Sequence, residues 1–308
     1  MSFATLIFSS SVWFVIAIGV LLNAFIVTQV FIWWLKLQTL QTIDIIMASL
    51  GAVRIILLIM SQKDMAVGSV TQSFETLKNS VYHNAAIIFL SFCSLWLCTV
   101  LCVFYFVKIT NYSNRLFMRL KMNISRMVPW LLLTSLLVSF LSSLPSIWCI
   151  YGRYINSTQD SNSSSFGDVT IEANYKNLLI IYFTGSLLPF LIFCASVCLL
   201  IMSLLKHTRN MSSKDSGFTK IQLEAHISAI RNIVYFLFFY ALYIISSCLM
   251  ILSFQTGNLF YVLICRMFAS VYPTLHSAIL IASNANLKHS LLVALRCARA
   301  SNPNDQMP

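Results

Sequence analysis

The chain has 308 residues, of which 58% are hydrophobic and only 9% carry a charged side chain. Soluble domains average about 25% charged residues, so this composition excludes an ordinary water-soluble protein and indicates one surrounded by lipid. The net charge of +11 does not indicate nucleic-acid binding, because the basic residues lie in short loops beside apolar segments and form no recognisable binding module.

Seven apolar segments follow one another along the chain, and each is long enough to cross a bilayer as a helix. None alternates apolar with polar residues as a barrel strand does. The seventh is the weakest because it contains Arg266 and Pro273, but its flanks are strongly apolar. We therefore predict an all-α membrane protein, a seven-transmembrane helix bundle that forms a single domain, 1–308. The predicted spans are 6–34, 43–60, 85–107, 127–150, 178–205, 233–254 and 259–282, followed by a tail, 283–308.

The distribution of Lys and Arg predicts the orientation of the bundle. With Lys36 on the inner side, the inner loops and the tail contain 14 Lys and Arg residues, whereas the outer loops contain 4. Basic residues are enriched in cytoplasmic loops, so we expect the amino terminus outside and a cytoplasmic carboxyl-terminal tail. No basic residue precedes the first apolar run, which is therefore expected to remain as a span rather than be cleaved as a signal peptide. Two glycosylation sequons, at Asn156 and Asn162, lie in the second outer loop and agree with this orientation.

No pattern typical of catalysis or metal binding is present. The chain has no HExxH, GxSxG or CxxC motif and no phosphate-binding loop, and its five histidines lack zinc-ligand spacing. Asp44, at the inner edge of the second span, is the only acid in the spans, whereas proton-coupled carriers usually place acids near the membrane midplane. We therefore expect neither enzyme activity nor a cofactor. A transporter is disfavoured, since no internal repeat is visible.

A buried charge is the strongest functional signal within the spans. Arg54 lies well inside the second span, where a charge costs about 3 kcal/mol on insertion scales. With no acid nearby to pair with it, neutral acceptors must solvate it, and Asn23 and Ser277 are the candidates. We expect these three residues to form an intramembrane polar hub, the alternative being a side chain that snorkels to the surface. Arg266, near the outer end of the seventh span, either faces an outward cavity or snorkels.

A series of short motifs runs along almost the whole chain, and their order and spacing are specific. On these motifs the chain resembles the type 2 bitter taste receptors, a family of seven-helix G-protein-coupled receptors. The motifs are Gly19 with Asn23, Arg54, LWL at 95–97, FYFVKI at 104–109, LPF at 188–190, AHISA at 225–229 and YPTLHSAILI at 272–281.

The resemblance implies a multi-pass plasma-membrane receptor for small, mostly hydrophobic bitter-tasting compounds. A ligand would enter from outside, among the third, fifth, sixth and seventh helices. Ile87 and Ser91 stand where many members have Trp and Asn, so no individual ligand can be carried over. The presence of Arg266 leads us to expect a preference for ligands with an anion or a strong acceptor. The residues expected around the ligand are Asn84, Ile87, Ser91, Ile181, Tyr182, Tyr243, Ser246, Arg266 and Ser270.

The resemblance also implies a heterotrimeric G protein of the gustducin type as the inner partner. Membrane lipid is a further expected partner, with cholesterol as one candidate, and nucleic acid is not. Three alternatives stay open: a vomeronasal type 1 pheromone receptor with the same topology, a small-solute transporter and a membrane enzyme. The residues expected to contact the G protein are Tyr105, Lys108, Lys121, Lys206, His207 and His226.

Overall fold

The computed structural model describes residues 3–66, 74–110, 115–159, 171–212, 220–256 and 259–300. Within these ranges every regular element is an α-helix. The eight helices are α1 (Phe3–Leu37), α2 (Thr42–Ala66), α3 (Phe74–Ile109), α4 (Arg115–Gln159), α5 (Ile171–Ser212), α6 (Lys220–Thr256), α7 (Leu259–Ser283) and α8 (Ala285–Ala300).

The first seven helices are each long and apolar enough to cross a membrane. The prediction of an all-α, seven-helix membrane protein is therefore confirmed, while the orientation of the termini stays a prediction. Several helices extend beyond the predicted spans; α4 has 45 residues against 24 in the range 127–150. Hydropathy detects only the roughly 20 residues that lie in hydrocarbon, whereas the helix itself continues into the polar interface.

The eighth helix lies within the predicted tail, where the apolar pattern did not predict a span. It follows α7 after a single non-helical residue, Asn284. The side-chain Oδ1 of Asn284 accepts hydrogen bonds from the backbone N–H groups of Asn286 and Leu287, as a helix N-cap does. Leu287 is fully buried against the bundle, so α8 is held beside α7 and α1.

Helix α3 occupies the centre of the bundle and α4 its edge. In the most apolar 18-residue stretch of each helix, 72% is buried in α3 and only 22% in α4. Helix α3 packs against α2, α4 and α5, while α1 and α6 each pack against α7 and complete the ring. Most of the side chains on α3 are therefore enclosed by other helices, which makes its polar positions informative about function.

Large apolar side chains cover the outside of the bundle. Trp148 in α4 is 81% exposed, and Phe14, Leu21 and Trp130 are also more than half exposed. In water such a surface would mark an aggregation or interaction site. Lipid tails are as apolar as these side chains, so the same surface is stable in a membrane.

Glycine allows two pairs of helices to approach closely. Gly185 in α5 faces Phe92 in α3, and a Cβ atom built on it would lie 2.5 Å from the Cζ atom of that ring. Gly19 in α1 similarly faces Thr274 in α7. Because glycine has no Cβ atom, these two positions decide how near α5 lies to α3 and how near α1 lies to α7.

Candidate ligand site and buried polar network

Arg54 of α2 is fully buried and is held by side chains from two other helices. Its Nη1 lies 3.0 Å from His276 Nδ1 and donates to Ser277 Oγ at 3.4 Å, both on α7. Its Nε donates to Ser94 Oγ on α3 at 3.3 Å. Its Cζ lies 5.2 Å from the centre of the Tyr272 ring, within the range of a cation–π contact. Arg54 therefore does not snorkel, and neutral groups solvate its charge.

Ser277 links this arginine to α1. Its Oγ lies 2.8 Å from both Asn23 Oδ1 and the Pro273 carbonyl, and its one proton can be donated to either. Asn23 in turn donates from Nδ2 to the Gly19 carbonyl at 2.7 Å. The structure thus brings together the three residues that the sequence suggested as a hub, Asn23, Arg54 and Ser277, at a point where four helices meet.

His276 is the network member that the sequence analysis did not single out. Because a guanidinium only donates hydrogen bonds, His276 Nδ1 must accept from Arg54 and the imidazole is neutral, with its proton on Nε2. That Nε2 lies 3.2 Å from Cys98 Sγ, which also accepts a hydrogen bond from Tyr272 Oη at 3.1 Å. The available signal was a His directly before Ser277 in an apolar span.

A layer of aromatic rings packs directly on this network. The ring centre of Tyr272 lies 5.1 Å from that of Tyr243 and 5.7 Å from that of Tyr240, both on α6. One turn away, Phe236 of α6 stacks on His276 with 4.4 Å between ring centres. The two α7 residues in these contacts, Tyr272 and His276, also contact Arg54.

The residues predicted to surround a ligand lie on α3, α5, α6 and α7. Tyr182 and Tyr243 are buried in one apolar cluster with Phe92, whose ring centre lies 5.5 Å from that of Tyr182. Asn84, Ile87 and Ile181 are partly buried. The hydroxyl groups of three further predicted residues are buried and donate to carbonyls of their own helices: Ser91 to Ile87, Ser246 to Leu242 and Ser270 to Arg266.

Arg266 connects α7 to the outer end of α2. Its guanidinium is buried, and Nη2 donates to the backbone carbonyl of Ser61. The side chain therefore does not snorkel to the surface. Both amide atoms of the next residue, Gln62, are buried without a hydrogen-bond partner in the described part of the chain. Sequence reasoning missed Gln62, although a polar residue at this end of an apolar span was a visible signal.

The residues predicted to contact a G protein lie at the ends of α3 to α6, at the same end of the bundle as α8. Tyr105 is partly buried in an apolar cluster, and the exposed Lys108 lies 5.8 Å from the centre of the Phe104 ring. Lys121 donates to the Thr110 carbonyl at 2.9 Å and so connects α4 with the end of α3. Three further predicted contacts lie in helices, with side chains outside the described residues: Lys206, His207 and His226. The same holds for Asn156, which was expected as a glycosylation site and not as a G-protein contact.

Two other expectations from the sequence concern glycosylation and metal binding. Asn162, the second expected glycosylation site, lies outside the described residues. Among the residues that the structure describes, no group of three or more His, Cys, Asp or Glu side chains could hold a metal ion.

The family model with the description Taste receptor protein (TAS2R) matches residues 1–299. The chain belongs to this family. Taste receptor type 2 member 39 of Homo sapiens is 33% identical to it over 282 residues, which cover 89% of this chain and 81% of the relative. The same receptor of Macaca mulatta is 30% identical over 279 residues, covering 88% and 81%. That of Rattus norvegicus is 38% identical over 217 residues, covering 69% and 68%.

Family membership decides between the classes that the sequence left open. The protein is a bitter taste receptor, a multi-pass membrane protein of the G-protein-coupled class, and it is not an enzyme. The pheromone-receptor and transporter alternatives are not favoured.

Proposed function

We propose that small, mostly hydrophobic bitter compounds bind between the outer halves of α3, α5, α6 and α7. The observation that carries the proposal is the position of Tyr272, which contacts Tyr243 on one side and Arg54 on the other. Tyr243 belongs to the expected ligand site, so any change there reaches the polar network through a single ring. Mostly apolar walls with a few polar groups suit a broad set of small ligands.

The mechanism we propose is a shift between two packings of α6 against α7. A ligand shifts such an equilibrium only as far as it binds one packing better than the other. To move, α6 must repack Tyr240 and Tyr243 against Tyr272, and Phe236 against His276. The Arg54 network holds α7 to α1, α2 and α3, so it would provide the fixed side against which α6 moves.

We further propose that the amino terminus lies outside the plasma membrane and that a gustducin-type G protein binds at the opposite face. The excess of basic residues in the predicted inner loops supports this orientation. The G protein would contact the ends of α3, α5 and α6 near Tyr105 and Lys108, with Lys121, Lys206, His207 and His226 contributing positive or polar groups. Glycosylation at Asn156 or Asn162 would then occur in the second outer loop.

Arg266 leads us to propose a preference for ligands that carry an anion or a strong acceptor. A guanidinium has five N–H donors in a fixed fork, so it can bond to the Ser61 carbonyl and to a ligand acceptor at the same time. The buried amide of Gln62 lies next to Ser61 in the chain and would bind a second polar group of the same ligand.

The direct test is intracellular calcium in cells that express this receptor with a gustducin-based chimeric G protein, challenged with a panel of bitter compounds. We expect a response that requires both proteins. Tyr243→Leu should reduce the potency of an identified agonist at least about tenfold, because the Tyr272 contact and a buried wall are lost. Phe238→Leu is the matched control, since Phe238 is also aromatic and on α6 but is exposed to lipid.

Two results would contradict the proposal. One is silence across the panel when surface expression is verified and a control receptor responds. The other is an equal loss of potency in the Tyr243 and Phe238 variants, which would mean that the aromatic layer does not transmit ligand binding.

A further inference from the structure

A cavity of about 370 Å³ opens at the junction of α1, α2 and α8. None of its lining residues belongs to the expected ligand site. Its lining includes Trp33 and Leu37 from the last turns of α1 and Asp44 from the first turn of α2. The lining is completed by the loop residues Thr39, Leu40 and Gln41 and by Asn286, His289 and Ser290 of α8. The volume is within the range of small-molecule sites, about 300 to 1,000 Å³.

Asp44 gives the cavity its charge. It is the only acid in the predicted spans, and its side chain is 8% exposed. Among the side chains that the structure describes, no Lys or Arg forms an ion pair with it. Burying a carboxylate is costly unless a cation or several hydrogen-bond donors compensate for its lost hydration. Asp44 also stands at the third position of α2, where a carboxylate favours the helix N-terminus.

Two lysines stand next in sequence to residues that line the cavity. Lys36 directly precedes Leu37, and Lys288 directly precedes His289; both lysines are exposed. The cavity therefore has a carboxylate in its lining, and two basic residues adjoin its lining residues in the chain. This arrangement complements a molecule with a positive end that enters and a negative group that stays at the mouth.

The surface of α8 indicates where such a molecule comes from. Leu292, Val293 and Leu295 are exposed apolar residues of α8, and Lys288 and Arg296 are exposed on the same helix. A helix with this composition lies in the membrane interface, at the boundary between headgroups and acyl chains. The cavity consequently opens at the depth of lipid headgroups.

We propose that this cavity binds the headgroup of a zwitterionic phospholipid through its ammonium group. The ammonium enters and pairs with Asp44, with the indole of Trp33 as a further cation-binding face. The phosphate stays at the mouth between Lys36 and Lys288. The bound lipid connects α8 to the α1–α2 turn and stabilises the receptor by mass action. The ligand class is an alkylammonium phosphate, whose sources are phosphatidylethanolamine and phosphatidylcholine.

The test uses the full-length receptor purified from vesicles that contain equal amounts of phosphatidylethanolamine, phosphatidylcholine and the anionic phosphatidylglycerol. Lipids that remain bound are identified by native mass spectrometry. We expect an ammonium lipid to be retained in preference to phosphatidylglycerol, and Asp44→Asn to lower this ratio about tenfold. Retention of both ammonium lipids indicates recognition of the charge alone, while retention of phosphatidylethanolamine alone indicates that its N–H groups are also bound.

A second variant separates lipid binding from helix capping. Ser290→Trp fills the cavity and leaves Asp44 in place, so it should abolish the preference without changing the start of α2. Ala294→Trp is the matched control, because it places the same side chain at an exposed position of α8 that does not line the cavity. The proposal is overturned if wild type retains phosphatidylglycerol equally, or if Asp44→Asn and Ser290→Trp retain the same lipids as wild type. None of these outcomes depends on the agonist response.

Discussion

Arg54 and His276 should be energetically coupled, and a double-mutant cycle measures their coupling energy. His276→Leu leaves a fully buried guanidinium with one acceptor fewer, and its Nη2 already has no partner in the described part of the chain. A hydrogen bond to a charged group contributes about 1.5 to 3 kcal/mol. Loss of the ring stack on Phe236 adds about 0.5 to 1.5 kcal/mol. We expect His276→Leu to destabilise the receptor by about 3 kcal/mol in total.

Removing the charge first should abolish most of that cost. Arg54→Met replaces the guanidinium with an apolar side chain of similar length, and replacing a buried charge in this way is often close to neutral. In the Arg54→Met background, His276→Leu should cost only about 1 kcal/mol, the contribution of the ring stack. The coupling energy is therefore about 2 kcal/mol.

The assay is unfolding of the purified receptor in nanodiscs, followed by tryptophan fluorescence. Phe236→Leu is the control variant, because it removes the ring stack and leaves the contact between Arg54 and His276 intact. Equal costs of His276→Leu in wild type and in Arg54→Met would show that the 3.0 Å contact contributes nothing measurable, and our account of the buried network would then be wrong.

Three further predictions concern helix packing, ligand preference and glycosylation. Gly185→Ala should destabilise the receptor by about 1 to 3 kcal/mol because its Cβ would meet the Phe92 ring, and Phe92→Leu in the same chain should restore part of this loss, both measured as thermal stability. Arg266→Ala should weaken acidic agonists about tenfold and neutral ones much less in the calcium assay, with Arg266→Lys between them. Replacing both Asn156 and Asn162 with Gln should abolish the mobility shift that glycosidase causes in receptor from mammalian cells, because both lie in the predicted outer loop.

Each of these predictions has an outcome that contradicts it. Unchanged stability of Gly185→Ala would mean that α5 can move away from α3 without cost. A parallel loss for acidic and neutral agonists in Arg266→Ala would indicate a purely structural role for this residue. A glycosidase shift that survives in the double Asn156 and Asn162 variant would locate the glycan elsewhere and remove one support for the orientation.

The sequence by itself determined the class of fold and the existence of a buried polar centre. Seven apolar runs must become helices in lipid, because no other open structure satisfies its backbone hydrogen bonds there. An arginine deep in one of these runs, with no acid in reach, must be solvated by neutral groups, and this requirement made Asn23 and Ser277 the candidates. Ser277 does accept from Arg54, and Asn23 joins the network through Ser277. These conclusions depend only on the cost of placing polar groups in hydrocarbon, which a sequence displays directly.

Tertiary structure alone decided which side chains meet. Each span is apolar on all its faces, so the hydropathy pattern does not reveal the rotation of a helix about its axis or its distance from the next helix. Packing settles both, for example where Gly185 meets Phe92. It is this packing that brings His276 to Arg54 and the guanidinium of Arg266 to the Ser61 carbonyl. Such contacts join residues up to 222 positions apart, and a local pattern carries no information about them.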